Sequence, residues 1–178
     1  MKILVISSCT KSKQNKQCTA RELYTGQQHK HVCNAVDNLR KNNYNVDFYI
    51  LSALHGFVSE NTMLQPYDYT FKGMSKKQIN SETTHVKQQF NELVQNYDIV
   101  ILLLGSEYLT ACVTPGKTYN NVYAFTSNST VKLIKCQQFV LTETQRIEFG
   151  KPNMISFKGV AFEKLAEQPL EHLLQRFN

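Results

Sequence analysis

The chain has 178 residues, 42% of them hydrophobic, and a formal net charge of +6 at neutral pH. That length and apolar content support a sizeable packed core and exclude a disordered chain. No apolar run approaches the roughly 18 residues of a membrane helix, and the positive charge admits a nucleic acid or another polyanion without demanding one.

The first predicted element is a buried strand at Ile3–Ile6. The lysine and short apolar run that open the chain are too brief for a secretory leader, so the expected location is cytoplasmic. The strand runs straight into Ser7, Ser8, Cys9, Thr10, Lys11, Ser12 and Lys13. Basic residues continue with Lys16, Arg21, Lys30, Arg40 and Lys41, against Glu22 and Asp37. Within that stretch Val32, Ala35, Val36 and Leu39 recur at i, i+3, i+4 and i+7, which predicts a helix.

A second strand, Val46–Leu51, ends in Ser52, Ala53, Leu54, His55 and Gly56. The loop "LQPYDYTFKGM", Leu64–Met74, is dense in aromatic residues, with Asp68 between Tyr67 and Tyr69. Ser75 and Gln78 then form a capping box for one helix reaching Asn96, with Ile79, Val86, Phe90, Leu93 and Val94 on its apolar face. Asp98–Leu104 is apolar without alternation, as a strand covered on both faces should be. It ends in Gly105, Ser106, Glu107 and Tyr108. Tyr119–Phe125 is a fourth strand and ends in Thr126, Ser127, Asn128 and Ser129. Thr130–Leu141 fits helix or strand, and Val160–Phe177 reads as helix with a break at Pro169. No repeat or linker divides the chain, so residues 1–178 read as a single α/β domain. The expected architecture is a three-layer sandwich around a mostly parallel sheet of about four strands.

Ligands of open parallel sheets bind beyond the carboxyl ends of the strands. Taken singly, each polar strand end reads equally as a solvated turn or a helix cap. Parallel strands would bring all four to one rim. The candidate binding groups are then Ser7, Ser8, Cys9, Lys11 and Lys13 after the first strand, with Arg21 nearby. Ser52, His55 and Gly56 follow the second strand, and Gly105 and Ser106 the third. The aromatic loop adds faces that stack on bases and, in Asp68, a candidate general base.

Other chemistries find less support. The cysteines Cys9, Cys18, Cys33, Cys112 and Cys136 are odd in number and widely spaced, which argues against disulfides and a zinc cluster. His29 and His31 lie two apart and face different sides of a helix. No metal and no cofactor are expected. Cys9 lacks a partner base and reads as a small residue packed under its loop. "TPGKT" ends like a phosphate loop, but Ala111 stands where the leading glycine belongs and a strand follows. A triad of Ser52, His55 and Asp68 lacks a nucleophile elbow.

"SSCTKSK", "ARELYTG", "FYILSALHGFV" and "PYDYTF" followed by Met74 together resemble a bacterial and phage domain family of unknown function. Its members carry S-C-x-K-S-K, A-x-x-L-Y-x-G, Y-x-L-S-A-x-H-G and P-Y-D in that order. The third strand and Gly105 also fit, whereas the C-terminal third carries no recognisable motif. More distantly, the family is similar to the uracil-DNA glycosylase superfamily and to the core domain of archaeosine synthase. A phage-restricting DNA glycosylase that acts on modified cytosine resembles this general type. One departure is the missing "GQDPYH" block, which "QPYD" at Gln65–Asp68 echoes with Asp and Pro reversed.

The resemblance implies a nucleobase site at the strand ends. It leads to the expectation of a DNA glycosylase-like hydrolase that cleaves the N-glycosidic bond of a modified base, in phage defence. Asp68 would orient water or stabilise the cationic sugar, and His55 would donate to the leaving base. Tyr67, Tyr24 or Tyr69 would stack on the base, with Ser7, Ser8, Lys11, Lys13 and Arg21 on phosphate. Two alternatives stand beside it: a nucleobase-modifying transferase, with Lys11 or Lys13 on the base's substituent, and a non-catalytic nucleotide or nucleic-acid binding module. The expected partner is nucleic acid, DNA before RNA, or a nucleotide, with no membrane, and the expected state is a monomer or weak homodimer.

Overall fold

The computed structural model describes residues 1–177. Strand β1 (Lys2–Ser8) is followed by a two-residue strand β2 (Cys18–Thr19) and helices α1 (Ala20–Leu23) and α2 (Gln27–Lys41). Strands β3 (Asn45–Ser52), β4 (Gly56–Ser59) and β5 (Met63–Leu64) come next, then helices α3 (Lys76–Glu82) and α4 (Thr84–Leu93). The remainder runs β6 (Ile99–Leu103), α5 (Ser106–Cys112), β7 (Thr118–Thr126), β8 (Lys135–Val140), α6 (Glu143–Glu148), α7 (Phe157–Leu165) and α8 (Leu170–Leu174).

The main sheet has six strands in the order β4-β3-β1-β6-β7-β8. All neighbours pair parallel except β3 and β4. Alternation across β1 and β6 sorts the core. Ile3, Val5, Ile101 and Leu103 pack with Val32, Val36 and Leu39 of α2 and Phe162 and Leu165 of α7. Leu4, Ile6, Val100 and Leu102 pack on the other face with Val86 and Phe90 of α4 and Leu109 of α5. Because both faces are covered, β6 is buried at every residue, which is why its sequence shows no alternation.

The expected α/β sandwich with a mostly parallel sheet is present, with six strands rather than about four. β4 is a short hairpin partner reached through Gly56, whose φ of 70° makes the tight return from β3. β8 arises in the segment that fitted helix or strand, after a short 3-10 turn at Val131–Leu133. The single helix expected over Ser75–Asn96 is two helices. The capping box of Ser75 and Gln78 forms, but Thr83 leaves helical geometry (φ −113°, ψ 20°). Its hydroxyl donates to the Ile79 carbonyl at 2.6 Å, a local competition that periodicity does not reveal. α7 and α8 separate at Pro169, as expected. Among the described residues no helix is long and apolar enough to cross a membrane.

The five parallel strands take the order 2-1-3-4-5 when numbered along the chain. The sense of chain progression reverses between β1 and β6, and clefts open at such a switch point.

Candidate functional site

The loop that leaves β1 is pinned at several points. Cys9 N–H donates to the Leu51 carbonyl at 3.0 Å, Gln14 N–H to Leu23 at 2.8 Å and Thr25 N–H to Ser12 at 3.0 Å. It lies over the joint between α1 and α2 so closely that a Cβ on Gly26 would meet Thr10 Cγ2 at 2.7 Å. Gly26 has an ordinary φ of −64°, so space and not backbone conformation demands glycine there. Gly26→Ala is therefore expected to cost about 1–3 kcal/mol by overpacking. Thr10→Gly in the same chain should recover most of that loss in denaturant unfolding. No recovery would place the strain elsewhere.

Beyond this loop lies a pocket of about 230 Å³ bounded by Cys9, Lys11, Lys13, Asp68, Tyr69, Lys72 and Tyr108. Asp68 is exposed. Among the described residues its carboxylate takes part in no hydrogen bond and no ion pair, although three lysines line the same pocket. Below it runs a chain of hydroxyls. Ser52 Oγ accepts from the Leu54 and His55 backbone N–H groups at 3.2 and 3.0 Å. With both lone pairs engaged, its own proton goes to Tyr67 Oη at 2.7 Å. Tyr67 in turn donates to Tyr24 Oη at 2.8 Å. Burial pushes the Tyr24 phenol up to about 12 and that of Tyr67 higher still, so both stay neutral donors.

Tyr67 is thus a floor element. The His55 and Tyr67 rings form a T-shaped pair with centroids 5.1 Å apart, and Lys13 Nζ sits 4.4 Å over the tyrosine ring. The aromatic groups that line the pocket are Tyr69 and Tyr108.

A second cleft, of about 370 Å³, opens at the switch point between β1 and β6. It shares Cys9, Thr10, Lys11 and Tyr108 with the first pocket and adds Ser8, Gln28, Gly105 and Lys158. Tyr108 Oη and Cys9 Sγ, 3.0 Å apart, stand between the two spaces.

The rim therefore assembles Ser8, Cys9, Lys11, Lys13, Asp68 and Gly105 as pocket walls, with Ser52, Tyr24 and Tyr67 as the floor. Other predicted residues are placed differently. The Arg21 guanidinium is held by Glu60 at 2.8 Å and Asp37 at 2.7 Å, in an ion-pair network that also takes in Arg40. It is therefore engaged within the fold rather than presented to a phosphate. Ser7 is fully enclosed in the sheet, its hydroxyl unbonded. Gly56 serves the β3–β4 turn. Ser106 Oγ donates to Glu107 at 2.8 Å. His55 is exposed and packs on Tyr67 without lining the Asp68 pocket.

Sequence reasoning missed Tyr108 as a shared wall, although "GSEY" already stood at a strand end. It missed Gln28 and Lys158 because their relation to β6 is purely tertiary. A further depression where β7 and β8 begin is lined by Lys76, Lys117, Lys132 and Lys135 but by no carboxylate or imidazole. Among the described residues no group of His, Cys, Asp and Glu is arranged to hold a metal ion.

The model of a family of unknown function, DUF6884, matches residues 3–128. The match takes in β1 through β7, hence the four strand ends singled out from the sequence, and leaves out β8 and α6 to α8. No curated protein and no solved structure matches the chain.

Proposed function

We propose, for a chain that belongs to the DUF6884 family and takes no activity from that family's description, that it hydrolyses the N-glycosidic bond of a modified base in DNA. The observation that carries this reading is the unpartnered Asp68 carboxylate, set among Lys11, Lys13 and Lys72 with Tyr69 and Tyr108 as aromatic walls. A flipped-out base needs a pocket of stacking faces, and the lysines suit the flanking phosphates. The resemblance to the uracil-DNA glycosylase superfamily supports the same reading, as does a site at the strand ends. Restriction of phages with modified DNA is the biological role it suggests.

The bond from C1′ of the sugar to the base nitrogen breaks, and its electron pair leaves with the base. Asp68 stabilises the positive charge that develops at C1′ and takes a proton from the water that adds there. The departing nitrogen takes its proton from solvent, since His55, the donor expected from the sequence, packs on Tyr67 outside the pocket wall. Tyr69 and Tyr108 bracket the base, while the Ser52–Tyr67–Tyr24 hydroxyl chain fixes the loop that carries Asp68.

The test is incubation with a panel of modified phage DNAs and a search by mass spectrometry for released bases. Free base together with abasic sites is the expected result. A retained but altered base would indicate transfer instead. Salt-dependent binding with no product at any time would indicate a binding module and end the hydrolase reading.

A further inference from the structure

We infer that Lys158 anchors a phosphate of the bound strand in the cleft between the ends of β1 and β6, a role that rests on the nucleic-acid reading above. Lys158 is the second residue of α7 and comes from outside the family match. Its ammonium donates to the carbonyl of Leu104. From the neighbouring helix, Gln28 Nε2 donates to the carbonyl of Leu103 at 3.2 Å. Two side chains of the helical layer thus clasp consecutive carbonyls where β6 ends. The clasp is stiff because α7 presses on α2: a Cβ on Gly159 would meet the Gln28 carbonyl oxygen at 2.8 Å.

One carbonyl engages one of three ammonium protons. Among the described residues none of the ion pairs includes Lys158. A cation drawn out of water without a counter-ion is costly and is kept where a ligand brings the anion. Burial pushes this ammonium down to about 8, the direction a bound anion would reverse. Lys11 lines the same cleft from the β1 loop. The acidic residue of the cleft, Glu107, accepts from Ser106 Oγ at 2.8 Å. Met154 and Ile155, exposed by 70% and 82%, give the cleft apolar walls suited to sugar and base edges beside the phosphate.

Lys158→Met tests the anchor, measured as the affinity of the full chain for a single-stranded oligonucleotide across a salt series. The expected result is a loss of about tenfold and a log–log salt slope shallower by about one phosphate. Lys158→Arg should keep most of the slope. A parallel titration with a 5′-mononucleotide separates the sources: an equal loss there identifies a terminal phosphate, and a loss confined to the oligonucleotide an internal one. Melting temperatures check folding: the methionine variant loses the bond to the Leu104 carbonyl but also a desolvated charge, opposing effects that should leave it folded at the assay temperature. Unchanged affinity and slope in a folded Lys158→Met would overturn the anchor. A wild type that binds with the expected slope but releases no base would sink the glycosylase reading and leave the anchor standing. A wild type that binds neither probe overturns both.

Discussion

Asp68→Asn is expected to slow single-turnover base release by about 10²–10⁴-fold, the range for loss of a positioned acid–base group. The melting temperature should not move. Asp68 is exposed and has no internal partner among the described residues, so the folded state loses no contact. The carboxamide keeps the shape but neither takes a proton nor opposes positive charge at C1′. Binding should part company with chemistry in this variant. Removing one negative charge from a pocket lined by Lys11, Lys13 and Lys72 leaves the affinity for DNA equal or higher. A merely structural aspartate would give the reverse pattern, with lower stability and weaker binding. His55→Ala should slow release far less than Asp68→Asn, because its ring packs on Tyr67 outside the pocket wall. If Asp68→Asn releases base at the wild-type rate, the assignment of Asp68 is dead.

What could be read from the sequence follows from how many neighbours determine each feature. β1, β3, β6 and β7 were legible because strands covered on both faces need continuous apolar runs. β4 and β8 were not, since four residues that begin with a glycine and a half-exposed edge strand leave no such run. The break at Thr83 hides in one hydroxyl-to-carbonyl bond. The rim was legible as chemistry, because parallel strands carry their polar ends to the same side. The roles within it were less so: Tyr67 has the composition of a stacking residue, but its partners Ser52 and Tyr24 make it a floor. Lys158 offered no signal at all, lying in sequence far from every strand it serves.

The same limit applied to charge. In sequence, Lys11, Lys13, Arg21 and Arg40 form one basic cluster. In the fold it divides by chemistry. The arginines turn inward, where planar guanidinium groups meet the carboxylates of Glu60 and Asp37. The lysines turn toward the pockets, where among the described residues neither forms an ion pair. The charge available to a polyanion is therefore smaller than the sequence total and more focused on the rim.

Glu60→Ala should cost about 3–5 kcal/mol in denaturant unfolding, the toll of stripping a buried carboxylate from its cations. The partial exposure of Arg21 and Arg40, at 26% and 35%, favours the lower end of that range. Glu60 itself is 6% exposed and accepts from both guanidinium groups. Burial alone would push its carboxyl up, but the hydrogen bonds from Arg40 and Arg21 outweigh it, so the group lies below its ordinary 4.5. A depressed carboxylate contributes stability that is complete above the unfolded value and is lost as pH falls through the folded one. The gap between wild type and Glu60→Gln should therefore be full near neutral pH and close as the solution is acidified below about 4.5. A gap that persists undiminished in acid would mean that Glu60 acts by packing and not by charge. The consequence reaches the pocket. Arg21 lies in α1, its carbonyl accepts from His29 at 2.8 Å, and α1 ends beside Tyr24, the last hydroxyl of the chain beneath Asp68. Unpairing Glu60 should thus loosen the floor before the sheet unfolds, and activity should fail at a lower denaturant concentration than the global transition.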